Sequence, residues 1–275
     1  VKFDKKLSES FRLDNKSQPH GPSAGMKKFE LGSMKTHQDL EKIFYDGDLK
    51  SEKGVIKLYE KGVRVSRIQD IFMIGGTGLE ENRKFVPTRW SITAVDDMIG
   101  KNLRERVKDY RPIDQYEVYS ATYLDNRWLI ILTPTLWQYE LIEAFYPETT
   151  WNPSSDKIAI FGDHEHAQGR TEYASLGGCY YSARLAVGEK LDQKKRQAGA
   201  IVLREAHPGY IIPVGVWNVR ESVRNALKTQ PRRFDTRKEV LAHLGYELDL
   251  DLEEWKSVSE LLTKRENQRR IEEFF

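Results

Sequence analysis

Two stretches decide the fold: Gln115-Tyr116-Glu117-Val118-Tyr119-Ser120-Ala121-Thr122-Tyr123 and Arg127-Trp128-Leu129-Ile130-Ile131-Leu132-Thr133, joined by Leu124-Asp125-Asn126. Both are rich in β-branched and aromatic residues, and the short polar joint between them predicts an antiparallel hairpin. On either side the pattern changes to helical spacing. Leu40, Ile43 and Phe44 follow Thr36 and Asp39 as a capped amphipathic helix, a second helix covers about 51–61 and ends at Gly62, and Val63-Arg64-Val65 alternates like a strand. Ile71-Phe72-Met73-Ile74 runs into the turn Gly75-Gly76-Thr77-Gly78, and Thr93 with Asp96 reads as the cap of a helix over about 94–108.

Downstream, Lys157–Phe161, Ala200–Leu203 and Tyr210–Trp217 read as strands. Gly177–Gly199 reads as the longest helix, about 219–228 as a basic helix, Thr236 with Glu239 as a capping box for a helix ending near Leu244, and Glu253–Leu262 as the last helix. Mixed elements with a hairpin favour an α+β fold, a mixed or antiparallel sheet with surrounding helices, over a doubly wound sheet. The expected organisation is an arm over 1–31, a single main domain over 32–245, a C-terminal helical segment over 246–267 and a tail over 268–275.

The balance of 44 basic and 42 acidic residues, +2 overall, excludes a polycation and an acidic buffer, so any basic surface is local. A mean hydropathy of −0.64 and apolar runs on the scale of Trp128–Leu132 give no candidate membrane span. The charged start, Val1-Lys2-Phe3-Asp4-Lys5-Lys6, lacks the apolar centre of a secretory signal. A lone cysteine, Cys179, forms no internal disulfide and fits a reducing compartment, so a cytoplasmic location is expected, with Cys179 a buried structural thiol.

The chain ends Gln268-Arg269-Arg270-Ile271-Glu272-Glu273-Phe274-Phe275. Gln268, Ile271, Phe274 and Phe275 fall on one side of a short helical turn, and two Phe rings at a charged terminus call for a partner that covers them. The alternative is that the rings tuck back onto their own domain. The segment resembles the PCNA-interacting peptide through which repair proteins dock on the sliding clamp, and all four key positions are filled.

Elsewhere the candidates are charged. Arg89 beside Trp90 offers a bidentate anion clamp at a helix start, and Asp96 with Asp97 could hold a divalent cation or simply serve the N-terminus of their own helix. Asp163-His164-Glu165-His166 could bind metal if extended but reads better as a solvated turn. Arg204-Glu205 and Arg220-Glu221 each follow an apolar strand, and a catalytic reading joins them to Arg89, Asp96 and Asp97. Residues 219–239 carry seven Lys or Arg against three acids. Arg224, Lys228, Arg232 and Arg233 in that segment are therefore candidate nucleic-acid contacts, against the alternative of a solvated face with local ion pairs. No metal site is assigned and no cofactor motif is evident, with a divalent metal left open.

Pro19-His20-Gly21-Pro22-Ser23, Val86-Pro87-Thr88-Arg89-Trp90-Ser91-Ile92-Thr93-Ala94-Val95-Asp96-Asp97, Gly169-Arg170-Thr171-Glu172-Tyr173-Ala174, Arg196-Gln197-Ala198 and Pro213-Val214-Gly215-Val216-Trp217-Asn218-Val219-Arg220-Glu221 together resemble the archaeal Nre family of DNA-repair proteins. The resemblance covers most of the chain. It implies repair of DNA damage and a PCNA-binding tail, and it brings no established catalytic residues. Family members also carry an N-terminal region with cysteines and a Gly/Tyr/Pro-rich segment that is not found here, so the chain is expected to be a piece of a longer protein. Two functional expectations follow: a repair factor recruited by PCNA whose core binds DNA or nucleotide, or a hydrolase- or nuclease-like enzyme acting on a phosphate-containing substrate.

Overall fold

The computed structural model describes residues 2–3, 12–14, 17–20, 26–28, 38–153, 156–211 and 214–263. The chain divides into two units, 1–45 and 46–275. In the first, β1 (Lys2–Phe3) pairs antiparallel with β4 (Met26–Lys28) and β2 (Arg12–Asp14) with β3 (Ser17–His20), and α1 spans Gln38–Tyr45.

The second unit is built on a six-stranded mixed sheet. Its strands are β5 (Tyr116–Tyr123), β6 (Asn126–Thr133), β7 (Gln138–Phe145), β8 (Ala159–Glu165), β9 (Gly199–Ala206) and β10 (Arg232–Phe234), in the order β10-β5-β6-β9-β7-β8. Only β7 and β9 run parallel, because the chain between them crosses over through a helix. The β5–β6 hairpin forms as expected. Leu124 and Asp125 both take left-handed conformations (φ 49° and 51°), the two-residue turn that suits the strand twist.

Strand alternation sends two apolar sets to opposite faces. Tyr119, Trp128, Ile130, Leu132, Tyr139, Leu141 and Val202 face α4 (Thr88–Lys108), α5 (Gly178–Lys194) and α6 (Val216–Ala226). Val118, Leu129, Ile131, Ile142, Ile201 and Leu203 face α7 (Arg237–Glu247), α8 (Leu252–Val258) and α9 (Glu260–Thr263). With helices on both faces, β9 is buried along its whole length. The architecture is α+β, with α2 (Ser51–Glu60) and α3 (Val65–Met73) packing on α4. Among the described residues, no helix is long and apolar enough to cross a membrane.

Several elements differ from the sequence expectation. Val65 opens α3 instead of closing a strand, since Val65 and Ile68 fall on one buried helical face. Val216 and Trp217 begin α6 instead of ending a strand. The helix α4 starts at Thr88, six residues early, and at 21 residues it exceeds the 17 of α5. Thr93 therefore sits inside α4, its hydroxyl donating to the Arg89 carbonyl, and neither it nor Asp96 is a cap. Asp163-His164-Glu165 belongs to β8 and is no solvated turn. The last helix is broken at Ser259, whose hydroxyl bonds the buried Glu140 carboxylate. At α7 the Thr236–Glu239 capping box is present in both directions. The tail residues Gln268, Ile271, Phe274 and Phe275 lie outside the described residues.

Candidate functional site

The helices α4, α5 and α6 run in the same direction. Gly178, Gly188 and Asp192 on α5 meet Thr93, Leu103 and Arg106 on α4, while Gly178, Ser182 and Glu189 stand level with Val216, Arg220 and Arg224 on α6. Glycine makes the approach close. A Cβ on Gly178 would stand 2.9 Å from Val216 Cγ1 and 3.1 Å from Thr93 Oγ1, and one on Gly188 3.1 Å from Leu103 Cβ.

Three helix N-termini consequently share one end of this layer. Each leaves its first N–H groups without an intrahelical acceptor and carries the positive end of its dipole. The residues at these ends are Pro87, Gly177 and Gly215, none of which supplies a side-chain cap, and no first turn contains an acid. Gly177 (φ 60°) and Gly215 (φ 74°) hold left-handed conformations that turn the chain sharply into each helix. The arrangement favours anions.

The surroundings suit a phosphate that carries bases. Arg89, in the first turn of α4, lies over its neighbour Trp90 at 5.5 Å and pairs with no carboxylate among the described residues. Trp90 sits 6.2 Å from Tyr173, and both rings are exposed, as is Trp217 in the first turn of α6. Tyr173 is placed by the segment 169–177, which is strapped to β8. Arg170 donates to the Asp163 carboxylate and, at 2.8 Å, to the His164 carbonyl, while the Ser175 N–H and hydroxyl donate to the other Asp163 oxygen at 2.6 and 3.0 Å. Burial alone would raise the Asp163 carboxyl, but the Arg170 guanidinium and the two Ser175 donors outweigh it and hold it below the usual carboxylate range.

Beneath the helix ends lies a buried polar network that fixes them. Asp96, fully buried, accepts from Arg220 at 2.8 and 3.0 Å, from the Gln69 amide at 2.8 Å and from the Ser182 hydroxyl, so one carboxylate joins α3, α4, α5 and α6. Burial pushes Asp96 upward against the pull of Arg220 and Ser182. Beside it, buried Arg184 of α5 joins Glu165 of β8 (2.8 Å) to Asp97 of α4. Glu165 also accepts from Trp137 and Tyr180, each at 3.2 Å.

The sequence candidates therefore separate. Asp96 and Arg220 meet, but as a buried tie, and Asp97 is occupied by Arg184 and Lys101, so the pair does not present a cation site. Arg224 is held by Glu189 and Glu221 and is not a free phosphate contact. Arg204 pairs with Glu143 on one face of the sheet, while Glu205 points to the other and accepts the N–H groups of Asp249 and Leu250. The set proposed for catalysis thus forms no single cleft, because neighbours on a strand face opposite ways. Arg232 and Arg233 stand exposed on the edge strand β10, with Glu247 at 3.8 Å and Glu117 at 3.7 Å, and Lys228 bonds Asn225. A groove of about 600 Å³ beside α6 is lined by Tyr59, Arg64, Glu189, Trp217, Arg220 and Arg224. Cys179 is half-buried, and burial raises its thiol well above the ordinary value. Sequence reasoning missed Gly177, Tyr173, Trp217 and Gly215; a glycine just before each of two apolar segments was the available signal.

Comparisons with known proteins agree on one group. The family described as Archaeal Nre, N-terminal, matches residues 1–152, and Archaeal Nre, C-terminal, matches residues 165–274. A protein named DNA repair protein NreB from Archaeoglobus fulgidus is 42% identical over 275 residues, covering 100% of this chain and 69% of its own length. The DNA repair protein NreA of the same organism is 34% identical over 92% of this chain and 64% of its own length, and NreA of Haloferax volcanii is 38% identical over 81% and 54%. The chain thus spans between about half and two thirds of these relatives. No solved structure matches significantly.

Proposed function

The chain belongs to the archaeal Nre family, and from that premise we propose that it is a DNA-repair factor whose core holds DNA at the joined N-termini of α4, α5 and α6, and which residues 268–275 tether to the PCNA sliding clamp. Three relatives bearing the name DNA repair protein support the repair role. The observation that carries the DNA reading is the meeting of three helix starts without caps or acids beside Arg89, Trp90, Tyr173 and Trp217. Backbone N–H groups and Arg89 take phosphates, and the rings offer stacking platforms to unpaired bases. A single-stranded segment is the ligand this chemistry favours, since stacking requires a base free of its duplex. The hydrolase- or nuclease-like alternative draws no support from Asp96 and Asp97, whose oxygens are engaged by buried cations.

The tail reading stands on the sequence: Gln268, Ile271, Phe274 and Phe275 match the clamp-binding pattern at all four positions. The core is tested by fluorescence anisotropy with a labelled single strand. Trp90→Ala and Trp217→Ala should each weaken binding by about 1–3 kcal/mol, and Arg89→Ala should lower the log–log salt slope by roughly 0.7. Wild-type binding in all three variants would remove this face from the DNA contact.

A further inference from the structure

A second cluster lies on the opposite face of the sheet, where β9 ends against the loop between α7 and α8. Glu205, His207 and Asp249 each turn one donor atom to a common point, the three atoms lying within 4.8 Å of one another. His207 Nε2 stands 3.9 Å from Glu205 Oε2 and 3.6 Å from Asp249 Oδ2. Glu205 is fully buried, and its Oε2, although Arg127 Nη1 stands 3.6 Å away as an ion-pair partner, accepts no hydrogen bond, nor does the buried Nε2 of His207 make one. Desolvated acceptors left this way cost free energy unless something takes their lone pairs.

The other carboxylate oxygens of the cluster are already held. Glu205 Oε1 accepts the N–H groups of Asp249 (3.0 Å) and Leu250 (2.9 Å). Asp249 Oδ1 accepts from Arg127 at 2.8 Å, and Arg127 is anchored in turn on the Glu247 carbonyl. His207 is placed by its backbone N–H on the Asp125 carbonyl (2.9 Å), and its ring lies against Tyr146, 4.5 Å between centroids. Outer bonds of this kind orient metal ligands and leave their inner atoms free.

We propose that Glu205, His207 and Asp249 form a binding site for a first-row divalent transition metal such as zinc. One imidazole and two carboxylates are a nitrogen/oxygen set suited to such ions, and bonds of about 2.0–2.2 Å put tetrahedral ligand atoms roughly 3.3–3.5 Å apart. The two separations from His207 Nε2, 3.9 and 3.6 Å, need to close by about half an ångström or less, and the two carboxylate oxygens, within 4.8 Å of each other, by at most about 1.5 Å. Two carboxylates against the Arg127 guanidinium leave a net negative site, and the half-exposed Asp249 opens it to water for the fourth position. The metal would pin the α7–α8 loop to the end of β9.

The test is calorimetric titration of the full chain, without a polyhistidine tag, with Zn²⁺. One equivalent should bind, with Glu205→Gln, His207→Ala and Asp249→Asn each weakening it about 10-fold or more, on the scale that even outer-sphere changes reach. His164→Ala with His166→Ala, which removes the other paired imidazoles (5.2 Å between rings), should leave it unchanged. Zinc should also raise the melting temperature of wild type and not of Asp249→Asn, a substitution at a half-exposed side chain whose amide oxygen can still accept from Arg127. Absence of binding to wild type would overturn the proposal. So would binding that survives in Asp249→Asn and is lost in the His164/His166 variant.

Discussion

Replacing Asp96 by Ala is the sharpest test of how the three helix starts are held together. The substitution leaves the Arg220 guanidinium, 3% exposed, without its counter-charge, and strips acceptors from the Gln69 amide and the Ser182 hydroxyl. Removing one partner of a buried ion pair costs about 3–5 kcal/mol. For a unit of this size each kcal/mol moves the melting temperature by about 2–4 °C, so the variant should melt roughly 6–20 °C lower. Burial pushes the Asp96 carboxyl up, which means that the pair is itself expensive to bury and that the loss comes from the stranded arginine. Asp96→Leu with Arg220→Met should therefore regain most of the stability. Urea unfolding followed by tryptophan fluorescence reads both, with the m-value unchanged. A loss under about 1 kcal/mol in Asp96→Ala, or a double variant no better than the single one, would refute the reasoning.

Further outcomes follow from the same contacts. The Asp163 carboxyl is held below its ordinary value in the folded state, so its contribution is complete above about pH 4 and lost as the pH falls through the lowered value; acid melting curves should be shallower for Asp163→Asn. Gly178→Val places a side chain against Val216 and Thr93 and should weaken DNA binding while far-ultraviolet circular dichroism stays that of a folded chain. Phe274→Ala with Phe275→Ala should abolish clamp binding in calorimetric titration, at about 2 kcal/mol or more per ring, with an unaltered melting curve; an early melt would show that the rings belong to the chain's own core.

Legibility followed locality. The β5–β6 hairpin and the Thr236–Glu239 box rest on neighbours in the chain, and both were readable. The strand β7 was not, because Glu140 and Glu143 look like solvent residues and are in fact buried on opposite faces, one capping α9 and the other paired with Arg204. The starts of α3 and α6 were hidden by β-branched and aromatic runs, whose strand preference yields to packing on one helical face. Arg89 and Trp90 stood out as an anion clamp from sequence, and the structure places both at a helix start. That two more helices begin beside them depends on parallel packing through Gly178 and Gly188, which no local pattern carries. For the same reason Glu205, His207 and Asp249 come together only through the fold.

Hydrogen–deuterium exchange of the full chain with and without a single-stranded oligonucleotide tests the DNA claim most directly. Protection is expected in the first turns of α4, α5 and α6, in peptides beginning at Thr88, Gly178 and Val216, and at Tyr173. Protection confined to β10 and the start of α7, around Arg232 and Arg233, or absent from all three helix starts, would contradict it.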